Sequence, residues 1–133
     1  MCLTKEGCRK KATKDIECYK VLLEYNDNGV TRLFSPYYGY KEWEIGKTFI
    51  NYERGYSPTP NSHNVFGGYY HSYENLQYSY LTSKDIERRQ KTTKPRVVIC
   101  KAIIPKGTYY YYGYHYGGYW GYASKKLKIV EVL

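Results

Sequence analysis

Apolar and polar residues alternate with a period of two along much of this chain, and that pattern predicts strands. In DIECYKVLLEY (15–25), Tyr19, Val21, Leu23 and Tyr25 fall on one face, with Cys18 and Leu22 on the other. Asn26-Asp27-Asn28-Gly29 follows, and Val30 to Phe34 resumes the pattern. Glycine accepts positive φ at no steric cost, so the segment predicts a hairpin. RVVICKAII (96–104) is apolar on nearly both faces, interrupted only by Lys101, as suits a central strand. Pro105-Lys106-Gly107 ends it, and Thr108 to Tyr112 predicts another strand. The chain closes with LKIVEVL, where Leu127, Ile129 and Glu131 oppose Lys128, Val130 and Val132.

The rest is less regular. Residues 35–68 are punctuated by Pro and Gly, with a short strand expected in WEIGKTF (43–49) and an exposed loop in SPTPNSHN (57–64). Residues 72–91 hold the helical pattern: Ser72 is placed to cap, and Tyr73, Leu76, Gln77 and Tyr80 recur at helical spacing. Thr82-Ser83 reads as a second cap, with Asp85 in a first turn and Arg88, Arg89 and Lys91 in a last one. One helix or two short ones fit equally. The expected fold is α+β: a mainly antiparallel sheet with one or two short helices in the middle of the chain. Residues 1–14 are expected as a mobile or irregular basic lead-in to a single compact domain over 15–133.

Composition changes this picture in two places. The 133 residues include 20 Tyr, and 21 Lys+Arg against 12 Asp+Glu give a net charge of +9. A basic surface rich in rings points to anionic partners. No apolar run approaches about 18 residues, so no membrane-spanning helix is expected. The N-terminus has no apolar core behind its basic residues, so no secretory signal is expected and the cytoplasm, a host cell's if phage-encoded, is the expected location. Cys2, Cys8, Cys18 and Cys100 match no zinc spacing; Cys18 and Cys100 read as reduced core residues, Cys2 and Cys8 as exposed.

Gly107 to Ser124 carries eight Tyr, one Trp, one His and five Gly, and no charged side chain. The plain reading is a Tyr-rich hairpin. The other is a binding surface, since Tyr offers wide contact at low entropy cost and one strand cannot bury eight rings. Basic residues flank it. Lys84 to Arg96 nets +4, and Lys125, Lys126 and Lys128 follow directly. Alone, the first run reads equally well as a solvated surface kept for solubility. Beside stacked rings, such cations hold phosphates while the rings take bases. The expected contacts are Tyr110, Tyr112, Tyr114, Tyr116 and Trp120 for stacking, and Arg88, Arg89, Lys125 and Lys126 for phosphate. His71 and Ser72 join them at the expected helix start, where free backbone N–H groups bind anions. Hydrolase elbow, P-loop and metalloprotease motifs are absent, and no cofactor or metal is expected.

Several stretches carry a resemblance. MCL, KDIECYKVL, SPYYG, the GG-x-x-HSY step, AIIPKGTYY and YASKKLKIVEVL together resemble a set of small uncharacterised proteins of tailed phages and gut bacteria. The resemblance implies a phage accessory role, such as countering host defence. Separately, AIIPKGTYYYYG with YASKKLKIVEVL is similar to the back half of ADP-ribosyltransferase-like folds. That family carries a catalytic Glu pair before its last strand. Here Lys125-Lys126 stand there instead and Glu131 lies inside the strand, which argues against transferase activity.

Three functions are therefore expected as alternatives. The first is a non-enzymatic binder that sequesters an anionic nucleotide or nucleic acid. The second is a nucleotide-processing enzyme with His71 as acid/base. The third is an inhibitor that docks on a host defence protein. In each, exposed strand edges leave room for a homo-oligomer.

Overall fold

The computed structural model describes residues 3–36, 41–54, 64–65, 67–90, 95–115 and 117–133. Among these described residues, twelve strands and one helix follow in chain order: β1 (Leu3–Lys5), β2 (Lys10–Lys11), β3 (Ile16–Asp27), β4 (Val30–Phe34), β5 (Glu42–Trp43), β6 (Thr48–Ile50), β7 (Asn64–Val65), β8 (Tyr70–Tyr73), α1 (Leu76–Arg89), β9 (Arg96–Ile104), β10 (Tyr109–His115), β11 (Tyr119–Ser124) and β12 (Lys126–Val132). All strands join one antiparallel sheet in the order β6-β12-β9-β3-β8-β11-β10-β1-β7, with β2 on β10 and the β4-β5 pair branching from β3. With 55% strand and 13% helix the fold is essentially all-β, which corrects the expected α+β class.

The correction has a local cause. The helix begins at Leu76 because Asn75 caps it, its side chain accepting from the Tyr78 N–H at 3.0 Å. His71 and Ser72 lie earlier, in β8, paired with Ala123 and Tyr122 of β11. Thr82 and Ser83 do not divide the helix. Ser83 Oγ donates to the Tyr80 carbonyl at 2.7 Å, so its hydroxyl is satisfied within one continuous helix. Asp85 is consequently mid-helix, while Arg88 and Arg89 do occupy the last turn.

β3 is the spine. It pairs with β9 from Ile16↔Ile104 to Glu24↔Arg96. The predicted alternation holds here. Cys18 and Leu22 join Val98, Cys100, Ala102, Ile104, Leu127 and Ile129 in the main core, while Val21 and Leu23 pack with Tyr73 and Ile86 beneath the helix. The predicted hairpin also forms. Asn28 and Gly29 have φ of 51° and 83° between the paired Asp27 and Val30.

A sheet this wide must curl to cover its main core. Trp43 closes the curl: its ring meets Phe49 of β6 at 5.0 Å and Tyr70 of β8 at 4.9 Å, and its Nε1 donates to Ser35 Oγ. One bulge adjusts the last strand. The register shifts between Ile129 and Glu131, so Glu131 pairs with Lys101 and Val132 with Cys100. Strict alternation would place Glu131 beside Ile129; the bulge returns Val132 to the core instead.

The basic stretch expected as an irregular lead-in is part of the sheet. β1 lies between β10 and β7, β2 pairs with β10, and Leu3 is fully buried. Room for β1 and β8 comes from two cross-strand glycines, Gly113 and Gly121. A Cβ at Gly121 would overlap the Ser72 carbonyl oxygen and lie 2.8 Å from His115 Nε2. Both neighbours are locked in strands. Gly121→Ala is therefore expected to cost about 3 kcal/mol in urea unfolding. A loss under about 0.5 kcal/mol would show that β8 and β11 can separate freely.

Candidate functional site

The site arises where β3 changes partner. On the edge away from β9, Tyr19 pairs with Tyr73 of β8, and from Leu23 onward β3 pairs with β4. Between them, among the described residues, Lys20 to Leu22 have no strand partner on that edge. The two partner strands part there, and a cavity of about 570 Å³ occupies the fork. Residues from both faces of the sheet line it. Lys20, Lys41, Trp43 and Tyr70 come from the main-core side, and Val21, His71, Tyr73, Thr82 and Ile86 from the helix side. Tyr52 and Glu53 stand at its rim, Tyr52 being 87% exposed.

Lys20 is the unusual member. It occupies the face of Cys18 and Leu22, so alternation directs an amine toward the apolar core. Nζ donates to the His71 carbonyl oxygen at 2.6 Å and lies 5.4 Å from the Trp43 ring centroid. Burial pushes its pKa down to about 8, against smaller raising contributions from Cys18 and Cys100, while the neighbouring Lys41 charge lowers it a little further. The thiols cannot neutralise it. Burial holds Cys18 and Cys100 up at about 12, so both are protonated at neutral pH. Lys41 Nζ sits 4.1 Å over Phe49, 5.2 Å over Trp43 and 5.6 Å over Tyr70. Burial and then Lys47 lower its pKa. Among the described residues neither lysine has an ion-pair partner.

The opposite wall carries unmet hydrogen-bonding capacity. Among the described residues, His71 Nδ1 and Thr82 Oγ1 are buried atoms without a partner. His71 is held neutral, its pKa driven well below the usual value by burial and then by His115 and Lys20. His115 packs behind it, 5.5 Å ring to ring, and burial lowers its pKa to about 4. Two cations, flat rings and two orphan polar atoms thus converge on one space. An anionic ligand with hydrogen-bonding edges would satisfy all of them.

The expected contacts are distributed differently. Of the helix-start pair only His71 lines the cavity; Ser72 points to the opposite face, beside the Cys18 thiol. Because both lie in a strand, no helix N-terminus serves them. Tyr110, Tyr112, Tyr114 and Trp120 do come together, on one face of the β10–β11 hairpin with Tyr122. Tyr112 stacks on Trp120 at 5.3 Å and Tyr114 meets the same indole edge-on at 5.5 Å. Tyr116 lies outside the described residues. The phosphate set does not join those rings. Arg88 pairs with Asp85 on the helix, and Arg89 is exposed beside it. Lys125 donates to the Glu53 and Gly68 carbonyls at 2.7 and 2.6 Å, and Lys126 is paired with Ile50.

Lys20, Lys41, Trp43 and Thr82 are absent from the sequence-based set. Lys20 alone left a readable signal, a lysine at the middle position of the apolar Cys18-x-x-x-Leu22 face. Among the described residues no group of His, Cys, Asp or Glu could hold a metal ion, and no helix is long and apolar enough to cross a membrane. No family model, curated protein or solved structure matches the chain, so the resemblances above rest on their motifs alone.

Lys20 sets a pH dependence. Its proton is held less tightly in the folded chain (about 8) than in the unfolded one (10.5). Stability is therefore expected to rise as pH climbs from about 8 to 10.5, and to carry the full penalty below 8. Lys20→Met should flatten that rise and stabilise the fold at pH 7 by about 1–3 kcal/mol in chemical denaturation. A destabilised Lys20→Met with the rise intact would place the amine in water. On the acid side, His115 should cost stability as pH falls from 6.5 through about 4.

Proposed function

We propose that this protein is a binding module that holds a small phosphate-bearing, base-containing ligand, such as a nucleotide, in the cavity at the fork of β3. The observation that carries the reading is the convergence of Lys20 and Lys41, both without ion-pair partners among the described residues, with the buried, unpartnered His71 Nδ1 and Thr82 Oγ1. The lysines supply charge for a phosphate in a setting of reduced dielectric, where attraction is strong. The orphan imidazole and hydroxyl supply a hydrogen-bonding edge for a base or ribose. Tyr52 and Tyr70 offer ring faces. The volume lies within the roughly 300–1,000 Å³ usual for such ligands.

Binding is favoured over turnover. His71 is held far below the range in which an imidazole exchanges protons at neutral pH. Among the described residues the single carboxylate on the lining, Glu53, stands at the rim. A phage-type accessory role would fit a protein that retains its ligand rather than converting it.

The test is a thermal-shift and calorimetry panel of mono-, di- and cyclic nucleotides with orthophosphate as the minimal probe. At about 100 times its Kd, the right ligand should add about 2.7 kcal/mol of stability, several degrees for a domain this size. Lys41→Glu should weaken that ligand at least about tenfold, a change of 1.4 kcal/mol, while leaving the unliganded melting temperature close to wild type. Equal affinity in wild type and Lys41→Glu, or no shift with any nucleotide, would defeat the reading.

A further inference from the structure

The N-terminal ribbon carries a second constellation, which adjoins the cavity at Tyr69 but whose cations lie outside the cavity lining. The Lys11↔Tyr109 and Lys5↔Gly113 registers put Lys5, Lys11, Tyr109 and Tyr111 on one face of the sheet. Lys5 Nζ lies 5.2 Å over the Tyr111 ring, and the Arg9 guanidinium lies 4.5 Å over Tyr109. Lys11 Nζ lies 5.7 Å from the same Tyr109 ring, and Lys125 Nζ 4.4 Å over Tyr69. The Tyr69 and Tyr111 rings touch at 5.6 Å, which makes the patch continuous. Four cations are thus seated on three touching or neighbouring tyrosines.

Among the described residues none of the four has an ion-pair partner. That is informative, because carboxylates elsewhere on this surface do pair, as in Arg32–Glu42, Lys84–Glu87 and Lys101–Glu17. The rings restrain the cationic side chains and lower the entropy cost of ordering them at a ligand. The patch is open: Arg9 and Lys11 are exposed and Tyr109 is 44% exposed. Rings interleaved with uncompensated cations hold a phosphodiester chain by its charges while its bases lie against the rings. A duplex keeps its bases stacked inside and would leave the rings unused.

We infer that the face formed by Lys5, Arg9, Lys11 and Lys125 over Tyr69, Tyr109 and Tyr111 binds single-stranded nucleic acid, chiefly through its phosphates and without sequence preference. This surface meets the cavity at Tyr69, but none of its four cations lines the cavity, and the test keeps the two apart.

The experiment is fluorescence anisotropy of a labelled twelve-nucleotide oligo(dT) with the full chain, titrated from 50 to 200 mM NaCl. Four phosphate contacts predict a log–log slope on the order of −3, an affinity loss of roughly fifty-fold across that range. The triple variant Lys5→Ala/Arg9→Ala/Lys11→Ala should flatten the slope by about 2. Tyr109→Leu, a single exposed change, should weaken binding by about tenfold with the slope kept. Lys41→Glu, in the cavity, should leave the oligonucleotide curve within about twofold of wild type. No binding at 50 mM salt, tighter binding of a duplex of equal length, or a triple variant that is folded by circular dichroism with an unchanged slope would overturn the inference. So would a Lys41→Glu that abolishes the signal, because the strand would then enter the cavity instead.

Discussion

One strand governs this protein. β3 runs from Ile16 to Asp27, longer than any neighbour, and its pairing with β9 carries nine consecutive cross-strand positions. One face of that pair builds the main core, and the other receives the helix through Val21, Leu23 and Ile86. The opposite edge of β3 cannot be served by one partner, because β8 spans only Tyr70–Tyr73. β8 takes one end and β4 the other. The fork between them follows from this mismatch of lengths, and the cavity is its direct product.

The fork explains why a lysine stands where a core residue is expected. Lys20 falls midway between Cys18 and Leu22, on the apolar face, at the point where the sheet opens. In a closed sheet its charge would be intolerable. Here the amine reaches the cavity and the His71 carbonyl. The arrangement still costs stability, as the depressed pKa records. His71 and Thr82 each break the rule that buried polar groups are satisfied among the described residues, and both line one space with Lys20, whose charge has no ion-pair partner there. Such local violations gather at functional sites, since a ligand can complete what the fold leaves open.

The tyrosines serve two different ends because a strand sorts its residues by parity. Tyr110, Tyr112 and Tyr114 meet Trp120 and Tyr122 on one face of the β10–β11 hairpin. Tyr109 and Tyr111 face the other way and carry the cations of β1, β2 and the turn between them. The basic ribbon is ordered because Leu3 is buried and Gly113 lets β1 approach closely. Charge, rings and backbone pairing act together there.

Much of the framework was legible from residues alone. The strand at 15–25, the hairpin at Asn28-Gly29 and the central character of 96–104 follow from alternation and turn chemistry, which are local properties. The helix at the middle of the chain was legible too, although its start was not. Asn75 and Ser72 are both good caps, and only the pairing of Ser72 with Tyr122 decides between them. The strands β1 and β2 were hidden because polar sequence becomes strand only when a partner supplies the hydrogen bonds. The fork lay beyond reach for the same reason. Local pattern determined that β3 exists and which side chains share its faces. Where its edge changes partner is set by the lengths of strands dozens of residues away, and that long-range fit alone brought Lys20, Trp43, His71 and Thr82 together.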